Sequence, residues 1–204
     1  MKERGMIFNA EMVRAILDGW KTQTRRPFNW KRQPAMEMAE RDDGSLWPWA
    51  EDCERGGDIW FACPFGVVGD RIWVRETFRV HSRATDVATL VYRASVRNSW
   101  TEQTHRVPVA VCNKPATPEK WTPSIHMPRW ASRILLEIID VRVERLNSIT
   151  ESDAEAEGVT DTGFGDLLVD GFRYLWKSIY GDDSWQANPW VWVIEFKRVE
   201  GGAA

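Results

Sequence analysis

A cluster of basic and hydroxyl side chains near the N-terminus has the residue types that bind polar or anionic ligands. Within six positions it contains Lys21, Thr22, Thr24, Arg25 and Arg26. An amine beside the end of a helix, followed by hydroxyls and guanidinium groups on a strand, is suited to phosphate or to the polar edge of a base. On a strand, the two arginines point to opposite sides, so only one faces a pocket. The alternative is an ordinary solvated surface.

A second candidate follows the Gly69-Asp70 turn signal, on a predicted strand. Arg71, Trp73 and Arg75 alternate along this strand and therefore share one face. Two guanidinium groups around an indole ring can stack on a base and hold phosphate. The alternative is a packed tryptophan flanked by two arginines whose charged ends reach solvent.

A third candidate combines Ser124, His126, Arg129 and Trp130. In an extended segment the serine and the histidine share a face, as a Ser-His nucleophile requires. No neighbouring aspartate completes a triad, although triad partners need not be local in sequence. The alternative is a loop anchored by Trp130.

Helix and strand signals predict how the first cluster is positioned. Asn9 is a good N-cap for a helix with an apolar face over residues 12–17. Gly19 is suited to the left-handed backbone conformation that ends many helices. Residues 22–26 then have the pattern of a polar strand, which ends at Pro27.

The rest of the chain contains more strand signals than helix signals. Strands are predicted at 59–63, 71–78, 88–93, 133–146 and 190–196, and helices follow Thr150 and cover 167–180. In the last strand the even-numbered residues are predicted to face the core. Residues 28–57 and 95–123 lack a clear period of apolar residues, and we therefore predict loops there. Short strands with few helices predict one α+β domain around a mixed β-barrel.

Bulk composition argues against a protein that coats duplex nucleic acid. The 204 residues carry a net charge of −3 and the pI is about 5.7, whereas such binding depends on many phosphate contacts. A local basic pocket remains compatible with this charge. The 13 tryptophans are far more than expected for a chain of this length. Tryptophan is suited both to hydrophobic cores and to surfaces on which bases stack.

The cysteines and the termini predict a cytoplasmic protein without metal or cofactor. Cys53, Cys63 and Cys112 are widely spaced and only three histidines occur, so no zinc-ligand spacing exists. Free thiols are the simplest state for them in a reducing cytoplasm. The first residues lack the apolar run of a signal peptide, and no stretch approaches the ~20 apolar residues of a membrane span.

Four motifs, in the same order along the chain, resemble the ASCH family, a small relative of the PUA fold associated with RNA and modified nucleosides. They are residues 19–26 (GWKTQTRR), the Gly-Asp turn and strand at 69–74, the acidic helix at 153–157 and the closing strand at 192–196. The resemblance implies a single domain over residues 1–204, with insertions at about 28–62 and 95–123. The whole chain also resembles phage and prophage proteins of unassigned role.

The ASCH family contains small bacterial amidohydrolases that remove the acyl group from acetylcytidine. Their lysine, threonine and glutamate match Lys21, Thr24 and Glu157, and the family arginine matches Arg26. The resemblance implies that the lysine is a base or nucleophile, that the glutamate exchanges protons with it and that the threonine stabilises the oxyanion or orients the base. The alternative is a structural ion pair between Lys21 and Glu157.

The expected function is recognition of RNA or a modified nucleoside, with hydrolysis of an acyl amide on a cytidine-type base. Arg26 and the two other candidate clusters are expected to bind the substrate. The alternatives are a module that binds single-stranded RNA or DNA without chemistry, a ribonuclease, and a phage protein whose insertions bind a host factor. No membrane partner is expected, and the oligomeric state is left open.

Overall fold

The computed structural model of the protein describes residues 1–95, 104–160 and 167–199. The strands in this part of the chain are β1 (Glu3–Ile7), β2 (Gln23–Pro27), β3 (Glu37–Glu40), β4 (Leu46–Glu51), β5 (Asp58–Trp60), β6 (Arg71–Arg75), β7 (Phe78–Arg83), β8 (Val87–Tyr92), β9 (Thr104–Pro108), β10 (Leu135–Arg145) and β11 (Trp190–Arg198). The α-helices are α1 (Ala10–Leu17), α2 (Glu151–Ala156), α3 (Leu168–Tyr180) and α4 (Asp183–Gln186). This mixture confirms the predicted α+β class.

The chain divides into two compact units. Unit 1 contains residues 1–19 and 70–137 and the segment that begins at Arg198, and unit 2 contains residues 20–69 and 138–197. Each unit has a buried apolar cluster of its own. The strand β10 begins in unit 1 and ends in unit 2. The single domain over residues 1–204 stays a prediction.

Unit 1 contains a parallel strand pair and a three-stranded antiparallel sheet. Strand β1 runs parallel to β6, with Glu3 opposite Arg71 and Ile7 opposite Arg75, and β6 pairs antiparallel with the start of β10. The second sheet has the order β7-β8-β9. One face of it covers a core of Phe78, Val80, Ala88, Leu90, Tyr92, Val107, Cys112, Met127 and Ala131.

Helix α1 begins and ends where the capping residues predict. The side chain of Asn9 accepts a hydrogen bond from the backbone N–H of Met12 at 2.8 Å. The helix buries Val13 and Ile16, and Gly19 follows it with a φ of +81°, the left-handed conformation that glycine adopts without strain. Local sequence therefore determines this element.

Unit 2 places β11 between β10 and β2. Trp192, Ile194 and Phe196 of β11 are buried as predicted, but Val191 and Val193 on the other face are buried too. These two valines join a cluster with Phe172 and Trp176 of α3. Because both faces of the strand are covered, the expectation that only one face lies in the core is wrong.

Two segments predicted as loops contain regular strands. Strands β3 and β4 lie inside the 28–57 segment and form an antiparallel sheet with β5, which falls where a strand was predicted at 59–63, and Trp49 lies opposite Trp60. Strand β9 lies inside the 95–123 segment and pairs with β8. The loop predictions are wrong at these places, because cross-strand tryptophan pairs and neighbouring strands stabilise stretches that lack apolar alternation.

The predicted strand over residues 71–78 is two strands. Strand β6 ends at Arg75, β7 begins at Phe78, and the two belong to different sheets. The strand orders found in the described residues close no sheet on itself. The β-barrel therefore stays a prediction.

Gly5 marks a close approach between β1 and an indole ring in unit 1. A methyl group added at this position would lie 2.5 Å from Cζ2 of Trp73 and 2.9 Å from Cδ of Arg75. Overpacking of this kind costs about 1–3 kcal/mol. We therefore expect Gly5→Ala to lower the free energy of unfolding by about that amount in urea denaturation.

A double-mutant cycle with Trp73→Leu provides the control for this prediction. If the indole ring causes the strain, Gly5→Ala costs less in the Trp73→Leu background than in the wild type. An equal cost in both backgrounds would contradict the explanation.

Candidate functional site

The lysine and the glutamate that match the amidohydrolase motifs form a buried pair in unit 2. Lys21 Nζ donates to Glu157 Oε2 at 2.6 Å and to the backbone oxygen of Glu157 at 2.8 Å. The two side chains are 0% and 2% exposed. The structure thus brings these two predicted residues into direct contact.

A capped helix fixes the position of the glutamate. Asp153 N donates to Thr150 Oγ1 at 3.1 Å and Thr150 N donates to Asp153 Oδ2 at 3.0 Å, which is the reciprocal capping box at the start of α2. Glu157 is the C-cap residue of α2, and Gly158 follows it with a φ of +83°. The predicted start and end of this helix are therefore confirmed.

The segment before β2 is joined to the end of the same helix. Thr22 N donates to the backbone oxygen of Ala156 at 2.8 Å, next to the bond that Lys21 Nζ makes with the oxygen of Glu157. The last carbonyl groups of a helix lack partners inside the helix and attract positive charge. A backbone N–H and an ammonium group satisfy two of them here.

Arg25 is the member of this site that sequence reasoning missed. Its Nη1 lies 3.4 Å from Glu157 Oε1, and its Nη2 lies 3.2 Å from both Glu144 Oε2 and Asp153 Oδ2. The guanidinium group also stands over the ring of Phe172, 5.9 Å from its centroid. A signal was present in the sequence, because odd-numbered residues of an extended segment leave it on the same side as residue 21.

Gln23 and Arg142 extend the site into a charged network. Gln23 Oε1 accepts from Arg25 Nη1 at 2.6 Å, and Gln23 Nε2 donates to Asp153 Oδ1 at 3.2 Å. Arg142 binds Asp140 at 3.1 Å, Glu144 at 2.5 Å, Asp153 at 3.3 Å and also Glu195. In this network the carboxylates Asp140, Glu144, Asp153, Glu157 and Glu195 outnumber the cations Lys21, Arg25 and Arg142. Every one of these three cations is paired.

Burial and neighbouring charges shift two pKa values in the network. Burial lowers the pKa of Lys21, the charge and hydrogen bond of Glu157 act in the opposite direction, and the two arginines of β2 lower it further. Burial raises the pKa of Asp153, but hydrogen bonds from Thr150 and the charge of Arg25 outweigh it and bring the pKa to about 2. Asp153 therefore stays ionised near neutral pH, while Lys21 gives up its proton more readily than an ordinary lysine.

Thr24 and Arg26 occupy the alternate positions of β2. Their side chains therefore leave the strand on the side opposite to that of the charged network. Thr24 pairs with Ile194 and is buried. The oxyanion role of Thr24 and the substrate-binding role of Arg26 stay predictions.

The strip of Arg71, Trp73 and Arg75 lies on one face of β6 in unit 1. The guanidinium group of Arg75 stands over the Trp73 ring, 5.3 Å from its centroid. Arg75 Nε donates to the backbone oxygen of Ser124 at 3.2 Å, and Nη2 donates to that of Ile125. The strip thus contacts the third candidate cluster through Arg75. The substrate-binding role of these arginines and of Trp73 stays a prediction.

The extended conformation assumed for Ser124 and His126 is wrong. Residues 124–126 form a 3-10 turn, in which side chains two positions apart point in different directions. No hydrogen bond joins the Ser124 hydroxyl to the His126 ring among the described residues. Arg129 begins a further 3-10 turn, and its Nε donates to Glu3 Oε2 at 2.9 Å. Substrate binding by these residues stays a prediction.

The described part of the chain shows neither a metal-ligand cluster nor a membrane-spanning helix. Residues 1–95, 104–160 and 167–199 contain no group of three or more His, Cys, Asp or Glu side chains placed to hold a metal ion. Cys53, Cys63 and Cys112 are free thiols. No helix in these ranges is long and apolar enough to cross a membrane.

Comparison with known proteins gives one distant structural likeness to report. No family model matches the chain, and no curated protein matches it. A crystal structure of an ASCH domain from Lactobacillus crispatus JV V101 is similar over 97% of this chain and 79% of that chain, at 12% identity and a TM-score of 0.41. A likeness this distant establishes neither a shared fold nor a shared activity. The likeness to the ASCH family therefore stays a resemblance of motifs.

The burial of the Lys21–Glu157 pair predicts a large effect on stability. Breaking a buried ion pair by removing one partner costs about 3–5 kcal/mol, because the other charge remains buried. We expect Lys21→Met to lower the free energy of unfolding on that scale, and Lys21→Met/Glu157→Gln to recover part of the loss. Chemical denaturation measures both.

Lys177→Met is the matched control, because Lys177 is the partner of the exposed Asp182 at 4.0 Å. We expect no resolvable change in stability for this variant. A Lys21→Met variant as stable as the control would show that the buried pair does not hold β2 to α2.

Proposed function

We propose that this chain is a phage-type ASCH protein, with the PUA-like mixed barrel of that family, that recognises a modified nucleoside and hydrolyses an acyl amide on a cytidine-type base. The observation that carries the proposal is the 2.6 Å contact between Lys21 Nζ and Glu157 Oε2, where burial lowers the pKa of the amine. Amide hydrolysis requires a proton to leave the attacking water and a proton to reach the leaving nitrogen. A buried amine that shares a proton with a carboxylate is suited to both transfers.

The proposed reaction balances its protons within the pair. With the shared proton on Glu157, the neutral amine of Lys21 accepts a proton from water as the water oxygen bonds to the amide carbonyl carbon. Glu157 then donates its proton to the amide nitrogen as the C–N bond breaks. The products are the unmodified base and a carboxylic acid. Transfer of the proton from Lys21 back to Glu157 restores the pair.

The charge balance of the network favours a neutral substrate over a phosphodiester. Arg25 and Arg142 are each engaged by several carboxylates, and Lys21 is engaged by Glu157. A phosphate approaching this network would meet an excess of negative charge and cations that already have partners. Deacylation of a nucleoside is therefore favoured over the ribonuclease alternative.

The complete burial of Lys21 and Glu157 favours a second candidate function. In this candidate the pair only fixes β2 against α2, and the protein binds single-stranded RNA or DNA without chemistry. The two candidates differ in what Lys21 must do, because a structural ammonium never needs to lose its proton.

Incubation with acetylcytidine, followed by ultraviolet absorbance, separates the two candidates. We expect the wild type to release cytidine and Lys21→Ala to lose about 100- to 10,000-fold in kcat, with KM little changed. Lys21→Arg is the sharper variant, because a guanidinium group keeps the positive charge and the ion pair but does not deprotonate. It should still fold, which its melting temperature verifies, and lose turnover.

Three results would decide the matter. Turnover by Lys21→Arg at the wild-type rate would contradict a proton-transfer role. Absence of turnover in the wild type, together with binding of oligonucleotides, would assign the chain to the second candidate. Lys177→Ala, a lysine substitution elsewhere in unit 2, should leave turnover unchanged.

A further inference from the structure

Charge is divided unequally between the two units. The sequence of unit 1 contains 15 Lys and Arg residues and 10 Asp and Glu residues, a net charge of +5. The sequence of unit 2 contains 12 and 20, a net charge of −8. The overall charge of −3 therefore conceals one basic unit, and a polyanion would be attracted to unit 1.

Five basic residues of unit 1 belong to its three-stranded sheet and to the segment that follows it. They are Arg79, Arg83, Arg106, Lys114 and Lys120. None of the five forms an ion pair with any other described residue. The cations of the network in unit 2 are all paired, so these unpaired cations have a different environment.

Strand alternation places two of these arginines on the outer face of the sheet. Val80 is buried in the core of unit 1, so Arg79 beside it points away from that core. Leu90 is buried in the same core, so Thr89 beside it also points away, together with Arg106, which lies opposite Thr89. Arg106 is exposed and Arg79 is half-buried.

The segment at 117–122 runs along the edge of the same sheet and brings an indole ring to it. Thr122 N donates to the backbone oxygen of Phe78 at 2.7 Å, and Thr117 N donates to that of Val80 at 2.9 Å. Phe78 and Thr122 pair as an antiparallel bridge. Trp121 therefore lies beside β7.

Arg79 and Trp121 stack on each other at this edge. The guanidinium carbon of Arg79 is 4.6 Å from the centroid of the Trp121 ring. Lys120, next in the chain, is exposed. The half-buried ring of Trp121 thus has one guanidinium group stacked on it and an exposed lysine next to it in the chain.

We propose that this outer basic face, formed by Arg79, Arg106, Lys120 and Trp121, binds the backbone and bases of a single-stranded nucleic acid. Unpaired cations bind phosphates and release counterions. A tryptophan with an arginine stacked on it provides a surface for bases that requires no particular sequence. The hydroxyl group of Thr89 beside Arg106 adds a donor for phosphate oxygen.

This inference goes beyond the nucleoside chemistry proposed for unit 2. The outer basic face takes an unmodified strand and carries out no reaction. It also gives a function to part of the 95–123 segment, which supplies Arg106, Lys120 and Trp121.

Fluorescence anisotropy with labelled oligothymidylate and oligouridylate tests the proposal. The wild type should bind both, and its affinity should fall as salt rises from about 50 to 200 mM. Arg106→Ala/Lys120→Ala changes two exposed residues and should preserve the fold. We expect it to weaken binding about tenfold or more at low salt and to reduce the log–log salt slope by about 1.4, or about 0.7 for each lost phosphate contact.

Lys31→Ala/Arg32→Ala is the matched control, because it removes the same charge from two exposed residues of unit 2. It should bind like the wild type. Trp121→Leu should weaken binding at every salt concentration without changing the slope, since stacking releases no counterions. Melting temperatures of all variants verify that they fold.

Several results would overturn the proposal. One is an equal loss of affinity in the two double variants, since net charge alone would then explain binding. Others are a wild type that fails to bind at low salt, or one that binds heparin or anionic vesicles but no oligonucleotide. Turnover of free acetylcytidine should be the same in Arg106→Ala/Lys120→Ala and in the wild type. That comparison separates a failure of this proposal from a failure of the proposed hydrolysis.

Discussion

An ammonium group and a carboxylate that are both removed from water each lose several kcal/mol of hydration, and only close pairing with further hydrogen bonds offsets that cost. Lys21 and Glu157 meet this condition in unit 2. The amine donates to a carboxylate oxygen and to a carbonyl oxygen of the same residue, while Arg25 holds the other carboxylate oxygen. The start of β2 and the end of α2 are thereby fixed to one another.

The same burial makes the proton of this pair mobile. A lysine in water keeps its proton at neutral pH, whereas burial lowers the pKa of Lys21 and the paired carboxylate offers a second place for the proton. Asp153, held ionised by Arg25 and by the capping hydrogen bonds of Thr150, keeps negative charge next to the pair. Structure and proposed chemistry therefore depend on one set of contacts.

Capping residues in the sequence predicted the helix ends, because those ends are determined by interactions between residues close together in the chain. The caps at Asn9, Gly19 and Thr150 position α1 and α2, and each acts within a few residues. The sequence could not show which side of β2 meets α2, because that choice depends on tertiary packing. Arg25 was therefore missed as a partner of Glu157. The strands β3 and β4 were missed for a related reason, since tryptophans pairing across strands stabilise them without apolar alternation.

The pKa of Lys21, measured by NMR of its side-chain signals in a pH titration, tests the central claim most directly. We expect a pKa below the ordinary 10.5, and a further decrease in Glu157→Gln, which removes the partner that raises it. Between the folded and unfolded pKa values the unfolded chain then binds more protons, so the free energy of unfolding contributed by Lys21 rises with pH in that window. A Lys21 that titrates at 10.5 or above, and does not respond to Glu157→Gln, would contradict the account.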